Sequence, residues 1–254
     1  DPEATVAAAR EALAASPSNL AASILESIAS ARSLPDEVAE ERLGAILTGP
    51  EPVAALHASA IAVELSRALR RSGRVDAADE LLDRASAEDE ASSALQAELA
   101  RVRRFQGSFG AARTMADKAL RSRPAAPQLL AEFAEASFFN DDAAGIEARV
   151  ALTSTTAQAS DGVRRAEAIV ALVRGNGAQA VPGLETTRHL GIPGETELWL
   201  TEAWLLAGDP SKALASARRA VALLTGATGA ASREVTVARM LEGLALATTG
   251  DIEG

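Results

Sequence analysis

Turn-forming residues recur along this chain at a fixed interval. The positions are Gly73, Gly107, Asp141 and Gly175, each 34 residues apart, then Gly208 after 33 residues and Gly250 after a further 42. A period of this length is typical of helix–turn–helix units that stack on one another. The interval therefore predicts a solenoid of helix pairs rather than a single globular core.

The composition favours helices throughout the chain. Apolar residues make up 48% of the 254 residues, but aromatic residues only 3%, there is no Tyr, and the apolar share is largely Ala. Alanine has the highest intrinsic helix propensity, and its small side chain lets neighbouring helices approach closely. Strand-like alternation of β-branched residues is nearly absent. The composition therefore predicts an all-α fold.

Charge and residue usage exclude several classes of function. A formal net charge of −10 argues against direct binding of nucleic acid, because the phosphates repel an acidic chain. The absence of Cys excludes disulfides and thiolate-bound metals. No apolar run approaches the ~20 residues of a membrane-spanning helix, and no secretory signal pattern opens the chain. We expect a cytoplasmic protein with no membrane span, whose natural start lies upstream of Asp1.

The segment from Leu95 to Pro124 shows the repeating unit most clearly. Its predicted second helix has one apolar stripe at the three-and-four spacing of a buried helix face. The stripe consists of Phe109, Ala112, Ala116, Ala119 and Leu120. Gly107 allows the positive φ of a helix C-cap, and Pro124 ends the unit.

This unit resembles the tetratricopeptide repeat family, in a degenerate form typical of bacteria. The resemblance rests on the turn glycine, an aromatic residue two positions later, small Ala residues where helices cross, and the closing Pro. The segment from Gly208 to Leu214 fits the same pattern. The resemblance implies a right-handed α-solenoid of antiparallel helix pairs, a superhelix of tetratricopeptide type.

With the family's period as a template, residues 1–254 form a single solenoid domain. We expect residues 1–19 to be the second helix of a truncated repeat and 232–254 the first helix of another. The helix pairs between them, of which the first is degenerate, are 20–50, 51–92, 93–126, 127–160, 161–193 and 194–231. Because both ends fall inside repeats, we expect the chain to be a fragment or to be flanked by further sequence.

Four places depart from the repeat pattern. Leu34-Pro35 stands where a turn glycine is expected. Pro182 falls where a second helix should be under way, so that helix either starts late or is kinked. Two connections, Thr48 to Val53 and Thr225 to Ser232, are predicted to be enlarged loops.

No set of residues has the pattern of a catalytic or metal site. His57 and His189 are the only histidines, and neither has a second ligand at metal-binding spacing. Asp141 and Asp142 suggest either paired carboxylates or a turn that caps the next helix, and we favour the cap. The sequence therefore predicts a protein that is not an enzyme and needs no cofactor.

Arginines occupy equivalent places in two predicted first helices, which in tetratricopeptide folds line the concave groove. Arg67 and Arg101 are one repeat apart, as are Arg70 and Arg104, and Arg71 adds a fifth guanidinium. Arginine forks suit carboxylates and phosphates, so a partner with an acidic segment would match this surface.

One repeat further along, these positions become Glu135, Phe138 and Phe139, so the groove is expected to grade from basic to apolar. The predicted partner-binding residues are Arg67, Arg70, Arg71, Arg101, Arg104, Phe138 and Phe139. In the alternative interpretation, the arginines pair with acids of neighbouring helices, such as Glu64, Glu98 and Asp79.

Trp199 and Trp204 lie five residues apart on one predicted helix. Five residues turn a helix by about 140°, so the two rings cannot share one buried stripe. Trp204 matches the family's inner aromatic place and is predicted to be core, whereas Trp199 is predicted to be either partly exposed or wedged against the next repeat.

These features predict a non-enzymatic scaffold that binds a protein or peptide on the concave face of the superhelix. The alternative is a regulatory or sensor arm of a larger bacterial transcriptional regulator or signalling protein. A terminal half-repeat exposes an apolar face, which also makes a homodimer through one end possible.

Overall fold

The computed structural model describes residues 2–17, 19–31, 33–49, 53, 55–124, 126–154 and 161–249. Over these residues the fold is all-α, with fourteen helices and no strands. The helices are α1 (Pro2–Ala15), α2 (Leu20–Ser30), α3 (Asp36–Thr48), α4 (Ala55–Arg71), α5 (Val75–Glu88), α6 (Ser93–Phe105), α7 (Phe109–Ser122), α8 (Pro127–Phe138), α9 (Ala143–Ser154), α10 (Asp161–Val173), α11 (Gly177–Thr186), α12 (Glu195–Leu206), α13 (Pro210–Thr228) and α14 (Arg233–Thr249).

The repeated turns form as the sequence predicts. Their φ values are positive at Gly73 (83°), Gly107 (79°), Asp141 (54°), Gly175 (74°) and Gly208 (74°). After each of these residues, the next backbone N–H donates to the carbonyl five positions earlier, as from Ser108 to Arg103 at 2.9 Å. This bond satisfies a carbonyl that the helix end would leave without a partner. The predicted turn at Gly250 lies outside the described residues.

The chain divides into two compact units, Asp1–Glu98 (unit 1) and Leu99–Gly254 (unit 2). In unit 1, α2 packs on both α3 and α4, around a core that includes Ile24, Leu43 and Ile61. In unit 2, each helix from α7 to α14 packs on the next one along the chain. First helices of successive pairs also contact one another there, α8 with α10, α10 with α12 and α12 with α14. This pattern of nearest-neighbour packing is that of a solenoid.

The predicted stripe of α7 is largely confirmed. Ala112, Ala116, Ala119 and Leu120 are buried, whereas Phe109 is half-buried at the start of the helix. The helix ends at Ser122, two residues before the closing Pro124. Three of the four buried residues of this helix are therefore alanines.

The structure decides between two alternatives at one irregular place and corrects the prediction at another. Pro182 lies inside α11, which begins at Gly177 beside the repeated turn, so the helix does not start late. The predicted loop from Thr225 to Ser232 is too long, because α13 continues to Thr228 and Gly229, at φ 83°, ends it. Gly226 is thus helical, and the excess of Gly in this segment was misleading. None of the described helices is long and apolar enough to cross a membrane.

Replacing Gly107 by Ala should destabilise the protein by about 1–2 kcal/mol, because an L side chain is strained at positive φ. Gly110, three residues later in α7, is the matched control. A Cβ at either glycine would meet no atom within 4 Å, so the two sites differ in backbone conformation and not in space. Gly110→Ala should be neutral or stabilising by up to about 1 kcal/mol. Urea denaturation followed by circular dichroism measures both changes, and equal losses would contradict the turn assignment.

Candidate partner-binding site

The arginines of α4 are engaged by carboxylates of unit 1. Arg70 is buried, and its Nη2 donates to Glu98 at 2.8 Å. Arg67 contacts Glu64 at 2.6 Å and the same Glu98 at 3.1 Å. The alternative interpretation of the sequence, internal pairing with acids of neighbouring helices, thus describes these two side chains.

The other predicted arginines are also withdrawn from solvent. Arg71 Nε donates to Asp36 at 2.6 Å. Arg101 and Arg104, on α6, are each only 5% exposed. The five positions therefore do not form an open basic surface on the described residues.

One buried ion pair recurs with the repeat. Arg70 and Arg104 are 34 residues apart, and so are Glu98 and Glu132. Arg70 pairs with Glu98 in unit 1, and Arg104 Nε pairs with Glu132 at 2.9 Å in unit 2. The repeat thus places an arginine on one first helix 28 residues before a glutamate on the next.

In unit 2 this pair belongs to a larger buried charge cluster, which consists of Arg104, Glu132, Glu135, Arg165 and Glu195. The Arg104 guanidinium also contacts Glu135 at 2.9 Å and forms a short contact with Glu195. Arg165 Nε lies 3.1 Å from Glu135. The cluster therefore joins α6, α8, α10 and the first residue of α12 through charge-assisted contacts.

Burial and pairing act in opposite directions on the pKa values of this cluster. Burial raises the pKa of Glu135 to about 7, although Arg104 and Arg165 pull it down. Burial also disfavours ionised Glu195, but Arg104, Arg101 and the Ile192 N–H hold its pKa below the usual value. For Arg104, burial lowers the pKa, but Glu132, Glu195 and Glu135 together raise it well above the usual value.

Three carboxylates of the cluster stand close enough to suggest a metal site. Oxygens of Glu132, Glu135 and Glu195 lie within 4.8 Å of one another. The Arg104 guanidinium contacts all three, however, so it already supplies the positive charge that a metal ion would bring.

An aromatic groove lies beside this cluster in unit 2. We define it by the rings that line a cavity of about 240 Å³, namely Phe105, Phe109, Phe138, Phe139 and Trp199. The chain has only five Phe and two Trp, so most of its aromatic side chains converge here. Leu198, Val237 and Leu241 complete the apolar lining, and Arg104 and Glu202 add polar groups.

The rings contact one another in defined geometries. Phe109 and Phe139 are stacked, with centroids 4.1 Å apart and planes at 13°. Phe138 forms T-shaped contacts with Phe139 and Trp199, with ring centroids 5.1 and 5.2 Å apart. Phe139 is 47% exposed, so the stack presents an open apolar surface.

Arg104 connects the groove to the charge cluster. Its guanidinium carbon lies 4.7 Å from the centroid of Phe105 and 5.9 Å from that of Trp199. The same side chain thus contacts three carboxylates and two aromatic rings.

The predicted core position of Trp204 is wrong, and so is the partly exposed alternative for Trp199. Trp199 is 5% exposed, whereas Trp204 is half-buried. The face of α12 that carries Trp199 meets Phe138 of α8, a long-range contact that the sequence alone does not show. Trp204 instead lies beside the start of α13, with the Lys212 ammonium 4.4 Å from its ring.

The sequence identified only Phe138 and Phe139 among the five groove rings. A signal for one more was available, because Phe105 precedes Phe139 by 34 residues and so occupies the same repeat position. The sequence pattern places Phe109 in the α7 stripe and leaves Trp199 either partly exposed or wedged against the next repeat. Neither role anticipated that both rings would line one cavity.

The remaining candidates have local roles. Asp142 Oδ1 accepts a hydrogen bond from the Gly145 N–H at 2.9 Å, which confirms the predicted cap of α9. His189 is exposed and lies 2.9 Å from Asp161.

Comparison with known proteins identifies the fold. No protein-family model and no curated protein matches the sequence. A tetratricopeptide repeat protein of Parabacteroides merdae matches with a TM-score of 0.55 and 17% identity, over 90% of this chain and 88% of its own. The protein has a tetratricopeptide-repeat fold.

Two further solved structures support this fold. A thermophilic tetratricopeptide repeat protein of Thermus thermophilus matches with a TM-score of 0.53 and 18% identity, over 74% of this chain and 99% of its own. The Cut9–Hcn1 hetero-tetramer of the APC/C matches with a TM-score of 0.62 and 13% identity. That match covers 98% of this chain and 50% of the other, so the chain spans half the length of that relative.

Within this fold, Arg104→Met should cost about 3–5 kcal/mol, because it leaves three buried carboxylates without their shared cation. Arg121→Met is the matched control, since Arg121 is 76% exposed and pairs with Asp117 of its own helix. An exposed pair of this kind contributes about 0–1 kcal/mol. Urea midpoints followed by circular dichroism measure both variants. A loss for Arg104→Met no larger than that of the control would show that the cluster contributes little.

Glu135 should make stability depend on pH. The folded state keeps a proton on Glu135 that the unfolded chain has already released between pH 4.5 and about 7. The contribution of this group to stability therefore falls as pH rises through that window. In the Glu135→Gln variant, stability should fall less steeply as pH rises, as measured by urea midpoints at pH 5 and pH 7. A variant that loses stability as steeply as the wild type would contradict the raised pKa.

Proposed function

We propose that this protein is a non-enzymatic scaffold for protein–protein interaction and that it binds an apolar segment of a partner protein in the aromatic groove. The observation that supports the proposal is the convergence of five aromatic rings on one cavity, with Phe139 47% exposed. Aromatic side chains dominate the energetics of protein interfaces, because each buries a large area at a small entropic cost.

The size of the cavity favours a protein ligand over a metabolite. Its volume of about 240 Å³ lies below the range of about 300–1,000 Å³ that is usual for small-molecule sites. A cavity of this size suits an anchoring side chain whose backbone stays outside. The sensor arm that was the alternative from sequence has no comparable observation in its favour.

We propose the aromatic groove, and not the arginines, as the surface that binds the partner. The expected acidic segment of the partner rested on guanidinium groups, and those of Arg67, Arg70, Arg71 and Arg104 contact internal carboxylates. We therefore propose recognition through Phe138 and Phe139, the apolar part of the predicted site. A cytoplasmic location and a homodimer through one end stay predictions from the sequence.

Selection from a library of random dodecapeptides on the immobilised chain tests the proposal. We expect selected peptides to be rich in apolar residues and to compete with one another for a single site. Phe139→Asp should weaken their binding at least about tenfold, because it places a charge on the open face of the ring stack.

Leu152→Asp is the matched control, because Leu152 is an exposed apolar side chain, at 69%, that does not line the groove. This variant should bind the selected peptides as the wild type does. Peptides that bind Phe139→Asp with unchanged affinity, or a selection that enriches no peptide, would overturn the proposal.

A further inference from the structure

The aromatic groove contains a carboxylate that has no counter-charge among the described residues. Glu202 lines the cavity from α12 and is half-buried. Within the described part of the chain, no ion pair or hydrogen bond involves its side chain. The nearby carboxylates Glu132, Glu135 and Glu195 differ from it, because each contacts Arg104.

An unpaired carboxylate beside aromatic rings is energetically unfavourable. Burial raises the pKa of Glu202, and no neighbouring charge opposes this effect. A partly desolvated carboxylate regains stability when a cation or a hydrogen-bond donor approaches it. The structure thus has a place where a positive group from outside would be stabilised.

We propose that the aromatic groove recognises a cationic side chain of the partner, an ammonium or guanidinium group on an apolar stem, whose charge pairs with Glu202. This inference rests on the proposed function, since it names the chemistry of the segment that the groove binds. The rings favour the same ligand, because their π faces attract cations and their surfaces cover an alkyl stem.

The positive charge of Arg104 does not oppose this ligand. Arg104 also lines the cavity, but its guanidinium contacts three carboxylates, so its charge is compensated within the protein. The net charge of −10 adds a long-range attraction for a cationic partner. Both observations reverse the expectation from sequence, which was an acidic partner.

Three small probes that share one phenyl group test the proposal. They are 3-phenylpropylammonium, 3-phenylpropanol and 3-phenylpropionate, which carry a positive, a neutral and a negative head group. Their binding to the full chain is measured by NMR, from the shift of the Trp199 indole N–H signal, which Trp204→Phe assigns. The ammonium probe should bind about tenfold more tightly than the alcohol, and the carboxylate probe most weakly.

Glu202→Gln should reduce the affinity for the ammonium probe to that of the alcohol and leave the alcohol unchanged. Glu167→Gln is the matched control, because it removes the same charge from an exposed place on α10 outside the groove. It should leave all three affinities as in the wild type.

The outcomes separate the two proposals. Equal binding of the ammonium and alcohol probes by the wild type, or a preference that survives Glu202→Gln, would overturn the inference and leave the apolar groove in place. If no probe binds, or if Phe139→Asp leaves the affinity for the alcohol unchanged, the proposed function fails, and the inference fails with it.

Discussion

The contact of one buried guanidinium with three carboxylates is the interaction on which unit 2 depends. Arg104 reaches Glu132 and Glu135 of α8 and Glu195 at the start of α12, 91 residues along the chain. In a solenoid each helix usually contacts only its neighbours, whereas here the Arg104 side chain links more distant helices directly. The groove rings pack beside this side chain, because Arg104 also contacts Phe105 and Trp199.

The repeat explains how charge and aromatic groups come to lie side by side. One repeat position carries Arg70, Arg104 and then Phe138, and the next carries Arg71, Phe105 and Phe139. Where the first of these positions carries arginine, as at Arg70 and Arg104, the first helix of the next pair supplies a glutamate that pairs with it. Where the two positions carry phenylalanine, as at Phe138 and Phe139, the rings pack together and leave an apolar face. At these two positions the repeat thus exchanges internally paired arginines for an apolar face.

The sequence predicted the turns well and the site only in part. Turn chemistry is local, so Gly107 and its equivalents could be assigned from spacing alone. Ion pairing and ring packing depend on which helices meet. The sequence therefore leaves the role of Arg104 open between groove binding and internal pairing, and it does not identify Glu132 as a partner. The two alternatives for Trp199 could not be separated for the same reason, since its neighbour Phe138 lies 61 residues earlier.

The distribution of aromatic residues has a consequence for optical spectroscopy. All five Phe and both Trp lie after residue 98, and the chain has no Tyr, so unit 1 has no aromatic chromophore. Tryptophan emission and near-ultraviolet dichroism thus report on unit 2 alone, whereas the far-ultraviolet signal reports on the helices of both units. A difference between the two transitions on heating would measure directly how far the halves of the chain melt as separate cooperative bodies.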